Sequence, residues 1–231
     1  MLNRLEIRID EELASRLAGL FLGMATIGPV KIERSSKAFL DMEREKISEI
    51  RRKFKLDLLK EEELIRAYRR FYWALRIDPT KVRPSSEALI RRSLQGAEIP
   101  KINNVVDAYN MASMETLIPM GAFDLDRIKP PIIMRYSRPG EKFVKIGGFE
   151  EELVGNELVL ADAEKVINRY PHRDSDLTKV TFDTSNVLLI IAGIPGVEEK
   201  NIATATKKAC IYITSFAGGK YEIWIQPHLT R

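Results

Sequence analysis

The chain has 231 residues, 45% of them hydrophobic and 30% charged, which is typical of a folded globular protein and excludes a disordered or fibrous one. The formal net charge is +4, so binding of a polyanion has to come from local clusters of Lys and Arg. One cysteine and two histidines exclude an internal disulfide framework and argue against a Cys/His zinc site, so we expect no metal and no cofactor. The longest uncharged run is too short for a membrane helix, and we expect a cytoplasmic protein without a membrane partner.

Residues 1–77 are predicted to form an N-terminal extension that packs on the rest of the protein. Alternating apolar and charged residues predict a strand in "RLEIRI", and helical spacing behind a capping Asp predicts a short helix in "DEELASRLAGL". The segment "GMATIGPVKI" is predicted to form a second strand. Apolar residues at helical spacing then predict two long amphipathic helices, over residues 36–54 and 59–75.

The second of these long helices carries two stripes. One is apolar and is predicted to face the core. The other consists of Arg66, Arg69, Arg70, Trp73 and Arg76. Guanidinium groups beside an aromatic face suit phosphates and stacked bases, so this stripe is a candidate nucleic-acid surface. The alternative, which the residues alone favour, is a solvated face whose Trp packs on a neighbouring loop.

Residues 78–231 are predicted to form the main domain. Helical patterns occur in "SSEALIRRSLQG", which has Ser at the cap position and Gly just past the end, in "INNVVDAYNMASMETLIP", and over residues 197–216. Short apolar or alternating runs predict strands in "PIIMRYS", "KFVKIGG", "ELVLAD", "KVTFDT", "NVLLIIAGI" and "KYEIWIQP". We therefore predict an α+β fold with a mainly antiparallel sheet and packed helices.

The segment "HRDSDLT" is a candidate catalytic loop. It places Arg173, Asp174, Ser175, Asp176 and Thr178 within six positions, between strand-like segments. If the loop folds over a pocket, an Asp can orient a water while the Arg holds a phosphate or carboxylate. The alternative is a solvated connection in which Asp and Ser cap turns.

Two predicted helices carry further candidate binding residues. Asn103, Asp107 and Asn110 lie roughly along one polar side of their helix. In "RPSSEALIRR", Arg91 can contact a nucleic-acid backbone, or it can pair with Glu87 at helical spacing and do no more than hold the surface.

Several common catalytic motifs are missing from the sequence. It has no phosphate-binding glycine loop and no G-x-S-x-G turn around a serine nucleophile. A Ser-His-Asp triad would have to use His172, in a polar stretch, or His228, close to the end of the sequence.

The region from Val105 to Glu141 resembles the B3/B4 module of the phenylalanyl-tRNA synthetase beta subunit. That module has a V-V-D-x-x-N helix, then a P-M-H-A-F-D-x-D-x-I turn, then an R-x-x-x-x-G-E strand. The residues that match this pattern are Val105, Val106, Asp107, Asn110, Pro119, Met120, Ala122, Phe123, Asp124, Asp126, Ile128, Arg135, Gly140 and Glu141. The segments "RPSSEALIRR" and "HRDSDLTK" look still more like the free-standing B3/B4 proteins, which exist without a synthetase around them.

The resemblance implies a module that binds the acylated 3′ end of tRNA and, in the synthetase, hydrolyses a mischarged aminoacyl ester. Aminoacylation belongs to the other synthetase subunit, so we do not expect a synthetase, and no DNA partner is expected. The motif residues Asp107, Gly121, Phe123 and Asp124 become candidate binding residues. The position of Gly121 is usually a histidine of the editing pocket in the synthetase module, so the resemblance implies that one imidazole is lost here.

Ester hydrolysis tolerates such a loss, because an activated ester needs mainly a placed water and suitable donors. Our hypothesis is that Asp176 or Asp174 orients the water and that Arg173, Ser175 or Thr178 positions the ester. We expect Asn103 or Asn110 to hold the pocket walls. The candidate tRNA contacts are Arg69, Arg70, Trp73, Glu87 and Arg91. Two alternatives stay open: a non-catalytic RNA- or aminoacyl-binding module, and an enzyme acting on a small amino-acid-like substrate.

Overall fold

A computed structural model of the chain describes Leu5 and residues 7–226. The helices and strands, in chain order, are β1 (Ile7–Ile9), α1 (Glu11–Arg16), β2 (Phe21–Gly28), α2 (Lys37–Lys53), α3 (Glu63–Ala74), α4 (Ser85–Leu94), α5 (Asn104–Thr116), β3 (Met120–Asp124), β4 (Ile132–Tyr136), β5 (Lys142–Lys145), β6 (Phe149–Glu152), β7 (Leu158–Ala161), β8 (Val166–Arg169), β9 (Arg173–Asp174), β10 (Val187–Gly193), α6 (Glu199–Ala217) and β11 (Lys220–Gln226). Short 3-10 turns lie at Leu59–Glu61, Leu125–Arg127 and Asp176–Thr178.

A four-stranded antiparallel sheet in the order β11-β2-β10-β3 forms the centre of the protein. Every residue of β2 and β10 is buried, which explains why both strands are continuous apolar runs. Helix α6 packs on one face of this sheet. It approaches so closely at Gly23 that a Cβ there would lie 2.6 Å from the Ile202 side chain, so only glycine fits.

A second sheet has the order β1-β4-β7-β8-β9. Strand β1 is parallel to β4, and the other pairs are antiparallel. The separate hairpin β5–β6 covers a small cluster of buried side chains, Phe143, Leu153, Val159, Ala161 and Val166. The two sheets and the helices confirm the predicted α+β class. No helix in the described part of the chain combines the length and apolarity needed to cross a bilayer.

Most predicted elements occur where the sequence indicated them, with a few differences. The predicted strand "KVTFDT" is wrong, because this segment turns and the Thr181 N–H donates to the Thr184 hydroxyl at 2.9 Å. Strands β3, β6, β8 and β9 were not predicted, and the segment of β3, which was expected to be a turn, is extended because it pairs with β10. A serine was expected to cap helix α4. In the structure Pro84 occupies the cap position, and Ser85 is the first residue of the helix. Parts of the predicted first and last strands, including Arg4, Glu6 and Pro227, lie outside the described residues, as does His228.

The N-terminal residues enter the same core as the rest of the chain. Strand β2 lies between β10 and β11, and β1 extends the second sheet. Tyr68 on α3 donates a hydrogen bond to the Ala192 carbonyl on β10 at 2.5 Å. The division of the chain at residue 77 stays a prediction, and a test of it has to account for a central strand supplied by the first segment.

Candidate functional site

A pocket of about 70 Å³ lies between the two sheets. Its apolar wall comes mainly from β3, β7 and β10, and its polar groups come from the start of α4, from β8 and from the segment that leads into β9. The lining residues are Ser85, Pro119, Met120, Gly121, Phe123, Leu160, Asn168, Tyr170, Pro171, His172, Arg173, Asp174, Ile190 and Ala192. An apolar recess with a few converging polar groups is the usual form of a small-molecule site.

Asp174 is the central polar group of this pocket. Its half-buried carboxylate accepts a hydrogen bond from Asn168 Nδ2 at 2.8 Å. Across the pocket stands Gly121, where an added Cβ would lie 3.1 Å from Asp174 Oδ1 and 3.2 Å from Oδ2. The carboxylate therefore takes the space into which any side chain at position 121 would project, and the glycine and the aspartate form a matched pair.

Burial determines the protonation of Asp174. It raises the pKa of the carboxyl to about 6, although the hydrogen bond from Asn168 acts in the opposite direction. The negative charge also contributes to a raised pKa of the buried Tyr109 hydroxyl, behind the larger effect of burial. A carboxylate with a pKa near 6 is ionised at neutral pH and is still basic enough to accept a proton from water.

His172 brings an imidazole to the pocket lining, two residues before Asp174. It is half-buried, and it follows β8 in the turn that leads to β9. Burial and the nearby Arg169 and Arg173 lower its pKa to about 4, and Glu151 only partly offsets them. The ring is therefore neutral at pH 7. The pocket lacks a histidine at Gly121, as the resemblance implied, but it has an imidazole that we did not assign to it from the sequence.

The candidate catalytic loop divides between the pocket and its surroundings. Arg173 is exposed and lines the pocket beside Asp174. Asp176 lies outside the lining, where its carboxylate accepts hydrogen bonds from the Gly147 N–H at 2.8 Å and from Lys179 at 2.7 Å. These contacts lower the pKa of Asp176, the opposite of Asp174. The structure thus favours Asp174 over Asp176 as the group that orients a water.

Ser175 and Thr178 have structural positions. Both are fully buried and neither lines the pocket. The Ser175 hydroxyl accepts from the Leu177 N–H and donates to the Val144 carbonyl, which fixes the loop against β5. The Thr178 hydroxyl is buried without a hydrogen-bond partner. Their placement gives no support to a direct role on an ester in the pocket.

The polar residues of α5 lie away from the pocket lining. Asn103 caps the helix by accepting from two backbone N–H groups, those of Val105 and Val106. Asp107 is buried and accepts from the Ser35 hydroxyl at 2.6 Å and from the Ile102 N–H at 2.9 Å. Asn110 is half-buried. The first two residues therefore anchor the preceding loop to α5, which explains their polarity without a ligand.

The two motif residues at the end of β3 differ in position. Phe123 is buried and lines the pocket. Asp124 lies outside it, accepts from the Thr184 hydroxyl at 2.8 Å, caps the following 3-10 turn and has Arg127 Nε at 3.3 Å. Asp124 holds the turn that follows the pocket wall.

Two of the predicted cationic contacts are engaged within the protein. Arg69 donates to the fully buried carboxylate of Glu87 at 2.8 Å. Arg91 is half-buried, and its guanidinium lies 3.4 Å from the Leu56 carbonyl. The helical spacing had suggested that Glu87 pairs with Arg91. In the structure it pairs with Arg69 on α3 instead.

The rest of the stripe on α3 faces solvent. Arg66, Arg70 and Arg76 are exposed, and 57% of Trp73 is accessible. The alternative expectation, that the Trp packs on a loop, does not agree with this exposure. The other side of the helix contacts the pocket segment, since the Tyr72 ring lies edge-on to His172 at 6.3 Å between ring centroids.

No three side chains of the kinds that bind metals lie together among the described residues. The pocket offers one carboxylate, a neutral imidazole, a carboxamide and a guanidinium. This set suits an ester or an amino acid better than a tightly held metal ion.

The chain belongs to the B3/4 domain family, whose model matches residues 67–228. This match includes the whole pocket and begins inside α3. It confirms the family that the region from Val105 to Glu141 indicated.

Similar proteins include phenylalanine–tRNA ligase beta subunits. That of Carboxydothermus hydrogenoformans is 40% identical over 119 residues, which is 51% of this chain and 15% of the relative. That of Moorella thermoacetica is 35% identical over 126 residues, 54% of this chain and 16% of the relative. The chain thus spans only about a sixth of the length of these relatives.

The fold is also similar to a solved structure, an N-terminal fragment of the phenylalanyl-tRNA synthetase beta subunit from Pyrococcus horikoshii. The TM-score is 0.51 at 16% identity, and the similarity covers 99% of this chain and 56% of that one. The shared fold therefore includes the segment before residue 78.

Sequence reasoning missed four polar or aromatic pocket residues: Ser85 at the start of α4, and Asn168, Tyr170 and His172. The last three lie in "NRYPHRD", which overlaps the candidate catalytic loop and includes its first residue, His172. Recognising β8 would have helped, because a strand that ends at Arg169 places the next residues at the same sheet edge as Asp174.

Proposed function

We propose that this B3/4 domain protein binds the acylated 3′ end of tRNA and hydrolyses misacylated aminoacyl-tRNA in trans. One observation carries the proposal: within the family match, a half-buried carboxylate fills the space beside Gly121 in a pocket with an apolar wall. The similar proteins are beta subunits of a ligase that joins an amino acid to tRNA, as their name says. We expect the protein to act in the cytoplasm, where charged tRNA is found.

The pocket groups can carry out the hydrolysis of an ester. Asp174 accepts a proton from a water, and the water oxygen forms a bond to the carbonyl carbon. The bond from that carbon to the ribose oxygen then breaks, and the proton passes to the departing oxygen. Arg173, beside Asp174 and exposed at the pocket, provides a donor for the carbonyl or a nearby phosphate. Atoms and charge balance without a cofactor.

The volume of the pocket limits the size of the ligand that it can hold. A pocket of about 70 Å³ has room for several waters or for one small aminoacyl group, but not for a nucleotide. The rest of the tRNA has to lie outside, on the protein surface.

The exposed stripe on α3 is the surface that we assign to tRNA. Arg66, Arg70 and Arg76 offer charges for phosphates, and Trp73 offers a face for stacking. Tyr72 on the same helix lies edge-on to His172, so α3 packs beside the pocket segment, and the stripe occupies the side of this helix that faces solvent. Arg69 and Arg91 contribute less, since protein groups already occupy them.

The test is deacylation of a panel of aminoacyl-tRNAs by the wild-type chain, by Asp174→Asn and by the matched control Asp176→Asn. We expect selective loss of one ester with the wild type, little or none with Asp174→Asn, and nearly normal loss with Asp176→Asn. Equal activity of Asp174→Asn and wild type would refute the assignment of the base.

The same experiment separates the alternatives. Salt-sensitive tRNA binding with no loss of any ester would replace the hydrolase by a non-catalytic binding module. Hydrolysis of simple amino-acid esters without measurable tRNA binding would indicate an enzyme for a small amino-acid-like substrate.

A further inference from the structure

Three buried polar atoms beside the pocket, Tyr72 Oη, Glu87 Oε2 and His172 Nδ1, have no hydrogen-bond partner, and neither has Asn168 Oδ1 in the pocket lining. Buried polar groups in native proteins are nearly always paired with protein or with ordered water. Three unpaired groups from three neighbouring elements, one of them in the pocket lining, indicate an occupant that links them.

The geometry brings these groups together. The rings of Tyr72 and His172 are edge-on with centroids 6.3 Å apart. Glu87 reaches the helix that carries Tyr72, because its carboxylate accepts from Arg69, one turn before Tyr72 on α3. Its charge also contributes to the raised pKa of Tyr72, after the larger effect of burial. Arg69 occupies the other carboxylate oxygen, Oε1, at 2.8 Å. Oε2 is therefore left for something other than the guanidinium.

Neighbouring tyrosines show that the unpaired hydroxyl is specific to Tyr72. Tyr68, one turn earlier on α3, donates to the Ala192 carbonyl at 2.5 Å. Tyr170 donates to the Gly193 carbonyl at 3.4 Å. Both hydroxyls are satisfied by the backbone of β10. Of these three buried tyrosines, Tyr72 is the one whose hydroxyl has no backbone carbonyl as acceptor.

A single water molecule matches the three atoms. A water accepts one hydrogen bond from the Tyr72 hydroxyl and donates two, one to Glu87 Oε2 and one to His172 Nδ1. Three hydrogen bonds are typical for a buried water. No protein donor then has to reach Nδ1, and no acceptor has to reach the phenol.

We propose that Tyr72, Glu87 and His172 hold a buried water that keeps the proton of the imidazole on Nε2, so that His172 presents an N–H donor to the carbonyl of a bound ligand. A hydrogen bond to one ring nitrogen determines which nitrogen carries the proton. The ring is neutral at pH 7 because its pKa is about 4, so it has one proton to place.

The water site and the role of His172 rest on different observations. The water site rests on the three unpaired atoms alone. The role of His172 as a catalytic residue that touches the ester rests on the proposed function. Tyr72 and Glu87 are positioning residues, since they act through the water and the ring.

The test uses the full chain, the variant Tyr72→Phe and the control Tyr212→Phe. Tyr72→Phe removes only an unpaired hydroxyl, so folding should be preserved. Tyr212 is a matched control because its hydroxyl also contacts a glutamate, Glu115, at 2.5 Å, but on α6 and outside the pocket lining. The measurements are a crystal structure, nitrogen-15 NMR of the histidine rings and deacylation rates. The chain has only two histidines, and a His172→Asn variant assigns their signals.

We expect electron density for a water within hydrogen-bond distance of Tyr72 Oη, Glu87 Oε2 and His172 Nδ1, and NMR signals of a ring protonated on Nε2. In Tyr72→Phe these signals should move toward a mixture of tautomers, and deacylation should fall about tenfold, as for the loss of one orienting hydrogen bond. The Tyr212→Phe protein should show neither change. An empty recess, or histidine signals that Tyr72→Phe leaves unchanged, would overturn the proposal.

These outcomes are distinguishable from a failure of the proposed function. If the wild type hydrolyses no ester, density and NMR still decide whether the water and the tautomer are as we propose. If hydrolysis occurs but Tyr72→Phe matches the wild type in signals and rate, the water site fails and the editing function stands.

Discussion

Replacing Asp174 by Asn should make the protein more stable at neutral pH while it removes activity. Burial raises the pKa of this carboxyl from its ordinary 3.8 to about 6, so the folded state disfavours the ionised form. At 1.36 kcal/mol per pKa unit, that difference corresponds to at most about 3 kcal/mol of lost stability once the group is ionised. Asparagine carries no charge and its oxygen can still accept from Asn168.

The raised pKa of Asp174 also determines how the stability difference between wild type and Asp174→Asn changes with pH. The folded pKa is raised, so below pH 3.8 the wild type has no penalty, and the penalty develops as pH rises from about 4 to about 6. The advantage of Asp174→Asn should therefore be roughly a third as large at pH 4.5 as at pH 7.5, where it reaches about 1–3 kcal/mol. Active-site groups commonly cost stability in this way.

Urea unfolding of wild type and variant at pH 4.5, 5.5, 6.5 and 7.5 measures this difference. Asp176→Asn is the control, because the pKa of Asp176 is lowered by Lys179 and the Gly147 N–H and its neutralisation should have the opposite sign. An Asp174→Asn protein that is no more stable than wild type at pH 7.5 would refute our account of this carboxyl.

Three further predictions test the pocket, the tRNA surface and the core. Gly121→Ala places a methyl group 3.1 Å from the Asp174 carboxylate, so the pKa of Asp174 should rise further and the pH–rate profile of deacylation should shift to higher pH. Arg70→Ala should lower the salt slope of tRNA binding by about 1 with little effect on stability, whereas Arg69→Ala, which breaks a buried ion pair, should mainly destabilise the fold in thermal melts. Tyr68→Phe leaves a buried main-chain carbonyl without its donor and should cost about 1–2 kcal/mol in urea unfolding.

Local patterns in the sequence were sufficient for most of the fold. Helical spacing located α2, α3, α5 and α6 to within a few residues, because these helices bury one stripe along their length and the period of that stripe is independent of the partner. The motif from Val105 to Glu141 gave the family, since its spacing encodes a helix, a turn and a strand together.

The partners of polar side chains could not be predicted in the same way. Asp174 and Asp176 are two positions apart and look alike in the sequence, but one faces the pocket and the other meets Lys179. Likewise Arg69 and Arg70 are neighbours, and only the first reaches a buried carboxylate. Such choices depend on which element arrives from a distant part of the chain.

By itself, then, the sequence determined the α+β class and most helices and strands, but it predicted a turn at Gly121, which lies in strand β3. Only the tertiary structure decided that β2 enters the central sheet, that Asp174 fills the space opposite Gly121, and that His172 reaches the pocket. The physical reason is that periodicity and turn chemistry act over a few residues, whereas burial and charge at a site arise from contacts between residues far apart in the chain.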